Sequence, residues 1–147
     1  MSVDYNTTLK TNRMQLVADL VSGKVAASST GSATAGYLVI GDSTLNGSSS
    51  STTGVLVKFT LNSATGTVSN ISGNIVLTLS GTPISTSAVG TGTAAKAELW
   101  SNSGSTSTQV IVSGLTVGTT TQNIVINATA ISSGQSVTLS SGTITHG

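Results

Sequence analysis

Residues 67–79 read TVSNISGNIVLTL, and this stretch decides the fold class. A β-branched run leads into a tight turn at 72–74, and apolar side chains then recur at Ile75, Leu77 and Leu79. Apolar residues at every second position line one face of a strand. A Gly-containing turn between two such runs is typical of a hairpin. The stretch therefore predicts two antiparallel strands with one buried face.

The same pattern extends over most of the chain, where short β-branched runs alternate with clusters of Gly, Ser, Thr and Asn. Regularly spaced short strands are typical of a sandwich or jelly roll, and we expect roughly eight or nine of them. The predicted fold is therefore all-β, a jelly-roll-like antiparallel β-sandwich with a short N-terminal arm and one helix. The strands are predicted at 25–28, 37–40, 55–61, 67–71, 75–79, 94–100, 110–112, 123–127 and 136–145. Turns or loops are predicted at 43–53, 101–104, 113–114 and 132–135.

The first ten residues are polar and lack helical periodicity, so we expect an extended arm or a disordered tail. Val3, Tyr5 and Leu9 stand at even spacing in this arm. They could therefore share one face of a strand that pairs with a neighbouring chain.

A single helix is predicted over 11–22, with Thr11 or Asn12 as its cap and Gly23 as its end. Its apolar positions are Met14, Val17, Leu20 and Val21, and Leu16 widens the same face. Because so short a helix is unstable alone, it must pack on something. We divide the chain into an arm and helix at 1–23 and a β-sandwich domain at 24–147.

Charge is scarce in this chain: charged residues make up 6% and the net charge is +1. An ordinary domain has about a quarter of its residues charged. Little self-repulsion and few long side chains suit a surface that packs against other subunits. The alternative is an ordinary small domain with a Ser/Thr-coated exterior. Because charge usually guards exposed strand edges, we also expect partners or the helix to cover some of them.

Several partner classes are disfavoured by the same composition. The five basic residues form no run and aromatic residues make up 3%, which argues against binding nucleic acid. No apolar stretch approaches the ~20 residues that span a bilayer, so no membrane partner is expected. The N-terminus lacks the pattern of a secretory signal, which favours a protein made and used in cytoplasm or released by lysis.

The residues that could carry chemistry are few. The acids Asp4, Asp19, Asp42 and Glu98 are far apart in sequence, and His146 is the single histidine and the penultimate residue. A catalytic base must be held rigidly, and structural zinc needs several Cys or His ligands. The chain also has no Cys. From these observations together we expect no enzyme activity, no cofactor and no metal site.

Trp100 has two interpretations. Lys96, Glu98 and Trp100 fall on one strand face, so Trp100 could anchor an exposed contact patch, as Trp often does at interfaces. It could equally fill the core as the largest apolar side chain available. The charged neighbours favour the exposed alternative slightly.

The order of these pieces resembles a group of small phage virion proteins, which have a short N-terminal helix with an Asn-Ala-Arg-like start followed by a β-sandwich. The resemblance covers most of the chain from residue 8 onward and is clearest in the C-terminal half. The segments that carry it are TNRM at 11–14, GTAAKAELW at 92–100, VGT at 117–119, ISSGQSVTL at 131–139 and TIT at 143–145. The long Ser-rich loop at 47–53 and the shortage of aromatic residues depart from the group's pattern.

These proteins are similar to the jelly-roll cement, or decoration, proteins of tailed-phage heads. The resemblance implies a structural protein on the virion head surface that binds the major capsid protein and clamps neighbouring capsomers. It also implies a homo-oligomer, a dimer or trimer. Under this hypothesis we expect the capsid or oligomer interface to use Tyr5, Leu9, Arg13, Met14, Val17 and Trp100.

Three alternatives remain open from sequence. The first is a tail, baseplate or fibre component that acts as a binding module. The second is a secreted bacterial surface or matrix domain, and the third is an undetected enzyme. The absent signal sequence disfavours the second, and the shortage of acids and bases disfavours the third.

Overall fold

The computed structural model describes residues 5–22, 34–46, 53–61, 66–102 and 108–146. These residues form one helix and eleven strands, which confirms the all-β class with a single helix. The helix α1 spans Thr7–Val21. The strands are β1 (Thr34–Gly41), β2 (Val55–Thr60), β3 (Gly66–Ile71), β4 (Asn74–Leu79), β5 (Ile84–Ser87), β6 (Gly92–Thr93), β7 (Lys96–Asn102), β8 (Thr108–Gly118), β9 (Ile124–Ile126), β10 (Ala130–Ile131) and β11 (Ser136–His146).

Nine of the strands form one large curled, sandwich-like sheet in the order β2-β1-β7-β8-β9-β11-β4-β3, with β5 also paired to β11. The two short strands β6 and β10 pair separately. All described pairings are antiparallel except that of β8 with β9, which is parallel. β4 and β5 follow one another along the same edge of β11, which pairs with β4 over 143–146 and with β5 over 136–139.

The core lies inside this curled sheet, and α1 belongs to it. Buried side chains from nearly every strand form one apolar cluster that also contains Met14, Ala18 and Val21 of the helix. The helix contacts β3 and β4 on one side of the fold and β7 and β1 on the other. Burying one apolar stripe of a short helix in this way supplies the stability that the helix lacks alone.

The helix begins earlier than the sequence predicted. Its N-cap is Asn6, whose side-chain oxygen accepts a hydrogen bond from the backbone N–H of Leu9 at 2.8 Å. The prediction of an extended arm is therefore wrong for residues 7–10, and Asn12 lies inside the helix. Residues 7–9 are exposed, so packing imposes no apolar periodicity on this first turn.

The predicted end of a strand at Ser113 and Gly114 is also wrong, because β8 continues to Gly118. Ala97 pairs with Leu115 whereas Leu99 pairs with Val112, so β8 contains an extra residue relative to β7. Gly114 has a φ of 74° at this point. A positive-φ glycine beside an extra residue is the signature of a β-bulge, and a bulge gives the same sequence signal as a turn.

Most remaining boundaries shift by a few residues. β7 begins at Lys96, and Ser101 and Asn102, predicted as a turn, belong to it. The short strands β5, β6 and β10 were not predicted. The predicted strand at 25–28 and the helix end at Gly23 lie outside the described residues. Within the described ranges, α1 has 15 residues and falls short of an apolar membrane-spanning segment.

Candidate interaction surface on the helix

A cleft opens beyond the end of β9, the short strand that lies between β8 and β11. β9 pairs with β8 at Val117 and Gly118 and with β11 over 139–142. Farther toward the helix, no described strand lies between β8 and β11. Side chains of α1 line this gap together with side chains of β8 and β11.

Asn123 joins the two strands at the inner end of the gap. Its Oδ1 accepts hydrogen bonds from the backbone N–H of Thr116 at 3.2 Å and from the Thr116 hydroxyl at 2.9 Å. Its Nδ2 donates to the carbonyl of Thr143 at 3.3 Å, and the Thr143 N–H donates to the Asn123 carbonyl at 2.8 Å. One side chain thus bridges β8 to β11 where the sheet ladder stops.

The cleft has a volume of about 320 Å³ and is open to solvent. Its floor is apolar and its polar groups come from the helix and from the end of β11. The lining residues are Arg13, Met14, Val17, Val112, Ile144, Thr145 and His146. Three of the predicted interface residues, Arg13, Met14 and Val17, therefore meet in one place. Met14 is otherwise buried and Val17 is half-buried, so both also belong to the protein's own core.

Tyr5 and Arg13 form a stacked pair beside the cleft. The guanidinium carbon of Arg13 lies 4.3 Å from the centre of the Tyr5 ring. A cation over an aromatic face is attracted by roughly 0.5–1 kcal/mol at an exposed site. The contact fixes the residue before the helix cap and keeps the positive charge of Arg13 at the cleft rim.

The helix carries a second apolar stripe that the sheet does not cover. Leu9 is 42% exposed and Leu16 is 44% exposed. With Leu20, which is half-buried, they occupy spacings of seven and four residues and so share one face of the helix. We call these three residues the leucine ridge. The sequence grouped Leu16 and Leu20 on one apolar face with Met14, Val17 and Val21, whereas the buried residues of the helix are Met14, Ala18 and Val21.

Trp100 is not part of this surface. It is 5% exposed and packs with Val39 and Leu45 in a second small cluster, to which Tyr37 and Val110 contribute. The exposed alternative for Trp100 is therefore wrong. The charged neighbours had favoured exposure of Trp100, but Glu98 is itself buried, and its carboxylate accepts a hydrogen bond from the indole N–H at 2.8 Å.

Two lysines stabilise the second cluster, one by contacts with aromatic rings and the other by hydrogen bonds to backbone carbonyls. The Lys58 ammonium lies 3.7 Å from the centre of the Tyr37 ring and 5.8 Å from that of Trp100. The Lys96 ammonium donates to the carbonyls of Ser43 at 2.9 Å and Leu45 at 3.4 Å. These contacts position the loop after β1 so that Leu45 covers the cluster.

Asp42 stabilises the same loop from its other side. Its Oδ1 accepts from the Thr44 hydroxyl at 2.6 Å and from the Thr44 N–H at 2.8 Å. The Thr44 hydroxyl bond first and the Thr44 backbone bond second lower the pKa of the Asp42 carboxyl; desolvation opposes them, and the charge of Lys96 lowers the pKa least. The sequence predicted a turn role for Asp42, and these bonds fit that role.

The cleft lining offers a guanidinium, an imidazole and a hydroxyl on an apolar floor, with no carboxylate among them. Across the described ranges, no three His, Cys, Asp or Glu side chains come together as a metal site would require. No family model, curated protein or solved structure matches this chain.

Proposed function

We propose that this protein is a virion structural protein of the cement, or decoration, type. In this role it binds the outer surface of a phage head and stabilises contacts between major capsid protein subunits. The helix surface, formed by the leucine ridge, the cleft and the Tyr5–Arg13 pair, makes the contact. Binding to the capsid is sufficient for this function, which requires no turnover of a substrate.

The observation that carries the proposal is that α1 has apolar residues on two sides while the sheet buries only one. Met14, Ala18 and Val21 face the core, and Leu9 and Leu16 remain exposed next to an open apolar cleft. A helix that is apolar on more than its core face is typical of a surface that packs against a second partner.

The energy available suits a contact repeated by symmetry. Full burial of a Leu side chain stabilises by about 1.5–3 kcal/mol, and each ridge leucine is already partly covered. One copy would therefore bind modestly. Repetition over a symmetric shell, together with linkage between copies, converts modest contacts into strong avidity.

A phage whose gene for this protein is deleted provides the test, because purified protein can be added back to its heads. We expect the wild-type protein to bind the heads in many copies and to raise the temperature at which they burst. The double variant Leu9→Glu and Leu16→Glu should bind at least about tenfold more weakly, since it places two charges in the apolar contact.

The matched control is Val89→Glu, which introduces the same charge at a residue that is 66% exposed and lies beyond β5. It should bind like the wild type. Circular dichroism of all variants must show an unchanged fold. Failure of the wild-type protein to bind heads, or its presence in only a few copies at the tail, would overturn the cement role. Equal binding by the double variant would exclude the leucine ridge as the contact.

A further inference from the structure

The two ends of the large sheet are protected very differently. At one end, β2 is mostly buried, and the carbonyl of Leu56 accepts hydrogen bonds from the N–H groups of Val89 at 2.8 Å and Gly90 at 3.2 Å. β2 also carries Lys58. A lysine and a covering loop are two of the devices by which proteins keep an edge strand from pairing with another chain.

β3, at the other end, carries no lysine, and within the described ranges no loop forms a backbone hydrogen bond with it, although α1 contacts it. Each of its six residues is exposed or half-buried, and none is charged. It pairs with β4 in six consecutive residue pairs without a register shift. Among the described residues, no backbone hydrogen bond joins β3 to any element other than β4. Ile71, at its end, is 55% exposed.

The hairpin geometry identifies which backbone groups face outward. Ser72 and Gly73 have φ values of 53° and 88°, as a two-residue type I′ turn requires. In such a hairpin the flanking pair, Ile71 with Asn74, exchanges hydrogen bonds, and bonding then alternates along the ladder. The N–H and C=O groups of Gly66, Val68 and Asn70 therefore point away from β4, and no strand of the described ranges pairs with them.

We infer that β3 pairs antiparallel with β3 of a second copy of this chain, joining two sheets across a two-fold axis. An antiparallel strand pair is self-complementary, so one uncharged edge serves both copies. A net charge of +1 adds little repulsion between them. No residue of β3 is charged, so the edge offers no charge that would select the strand of an unrelated protein, whereas an antiparallel strand pair matches itself.

The pairing also preserves the two faces of the sheet. Thr67 lies in register with Thr78, and Thr78 with Thr143, so three threonines form a row on the outer face. Because side chains alternate, a symmetric antiparallel pairing places outer-face residues of one copy beside outer-face residues of the other. The polar row then continues across the axis, and Val68 stays on the core side in both copies.

This inference names a surface for the homo-oligomer that the phage resemblance implies, but it concerns the isolated protein. Its test and the head-binding test can therefore fail separately. The purified chain is studied by sedimentation velocity over a wide concentration range. Hydrogen exchange of individual amides is measured by NMR at the lowest and highest concentrations.

We expect a monomer–dimer equilibrium in which the amides of Val68 and Asn70 become protected as concentration rises. The amides of Thr67 and Ser69, which bond to β4, should be protected throughout. Thr67→Lys should weaken the dimer by about tenfold or more, because an edge lysine opposes strand pairing. Thr78→Lys changes the same row one strand farther in, so it should leave the dimer unchanged.

Three outcomes would overturn the inference. The first is a monomer at every concentration. The second is a dimer in which the amides of Val68 and Asn70 exchange as fast as in the monomer. The third is equal weakening by the two lysine variants. Failure of head binding alone would leave this result unaffected.

Discussion

The carboxylate of Glu98 accepts a hydrogen bond from the indole N–H of Trp100, with Oε2 lying 2.8 Å from Nε1. Both side chains are buried, at 2% and 5% exposure. A buried indole N–H requires an acceptor. The pair therefore explains how a charged residue and the single Trp of the chain share one strand face without forming an exposed patch.

Replacement of Glu98 tests this pair. Glu98→Leu leaves the indole N–H without a partner, and we expect it to lower the free energy of unfolding by about 1–3 kcal/mol. Glu98→Gln keeps an acceptor oxygen and should cost less than half of that. Urea unfolding followed by far-UV circular dichroism measures both values. Equal costs for the two variants would show that the hydrogen bond contributes nothing.

Asn6 is expected to stabilise the helix as its cap. Asn6→Ala removes the acceptor for the Leu9 N–H, and loss of such a cap costs about 1 kcal/mol. Asn12→Ala is the matched control, because Asn12 is exposed inside the helix and Ala has the higher helix propensity. We therefore expect Asn12→Ala to be neutral or slightly stabilising in thermal unfolding. The reverse ranking would place the helix start at Asn12.

Asn123 is expected to hold the cleft together. Asn123→Ala removes its hydrogen bonds to Thr116 and Thr143, and we expect a loss of about 1–3 kcal/mol in unfolding free energy. Amide exchange near Thr116 and Thr143 should also accelerate. Asn127→Ala is the control, because the Asn127 side chain accepts one bond, from the Thr138 N–H at 2.9 Å. It should cost less and leave exchange at the cleft unchanged.

The Asp42 loop should respond to acid. Because the folded-state pKa of Asp42 is lowered, its contribution to stability is present above the ordinary Asp pKa and is lost as pH falls through the folded-state pKa. Thr44→Val removes the hydroxyl donor, so an NMR titration should show the pKa of Asp42 moving upward. The stability difference between wild type and this variant should shrink in acid. An unchanged pKa would mean that the hydroxyl bond is absent in solution.

Several features follow from the sequence because they depend on local pattern. The hairpin at 67–79 is set by alternation and by its turn residues, and the structure contains it as β3 and β4. The alternation at 55–61 and the strong apolar run at 37–40 likewise became β2 and β1. The all-β class and the single helix follow from the same signals, since strand and helix periodicities differ.

The candidate site was predicted only in part. The spacing of Met14 and Val17 indicated a helix face, and Arg13 stands next to them in sequence. The remaining lining residues, Val112, Ile144, Thr145 and His146, belong to β8 and β11, which are far from the helix in sequence and meet it only in the folded chain. No local pattern encodes that meeting. Leu16 was grouped with Met14 on one apolar face, because helical spacing alone does not distinguish a residue that packs on the core from one that stays exposed.

The sequence by itself determined where the chain can extend, turn and bury alternate side chains, because these properties depend on neighbouring residues. Only the tertiary structure decided that Trp100 is buried and that Leu9 and Leu16 are not. Burial depends on which distant segments cover a side chain, and the balance of apolar contact and hydrogen bonding at each position is set by those segments.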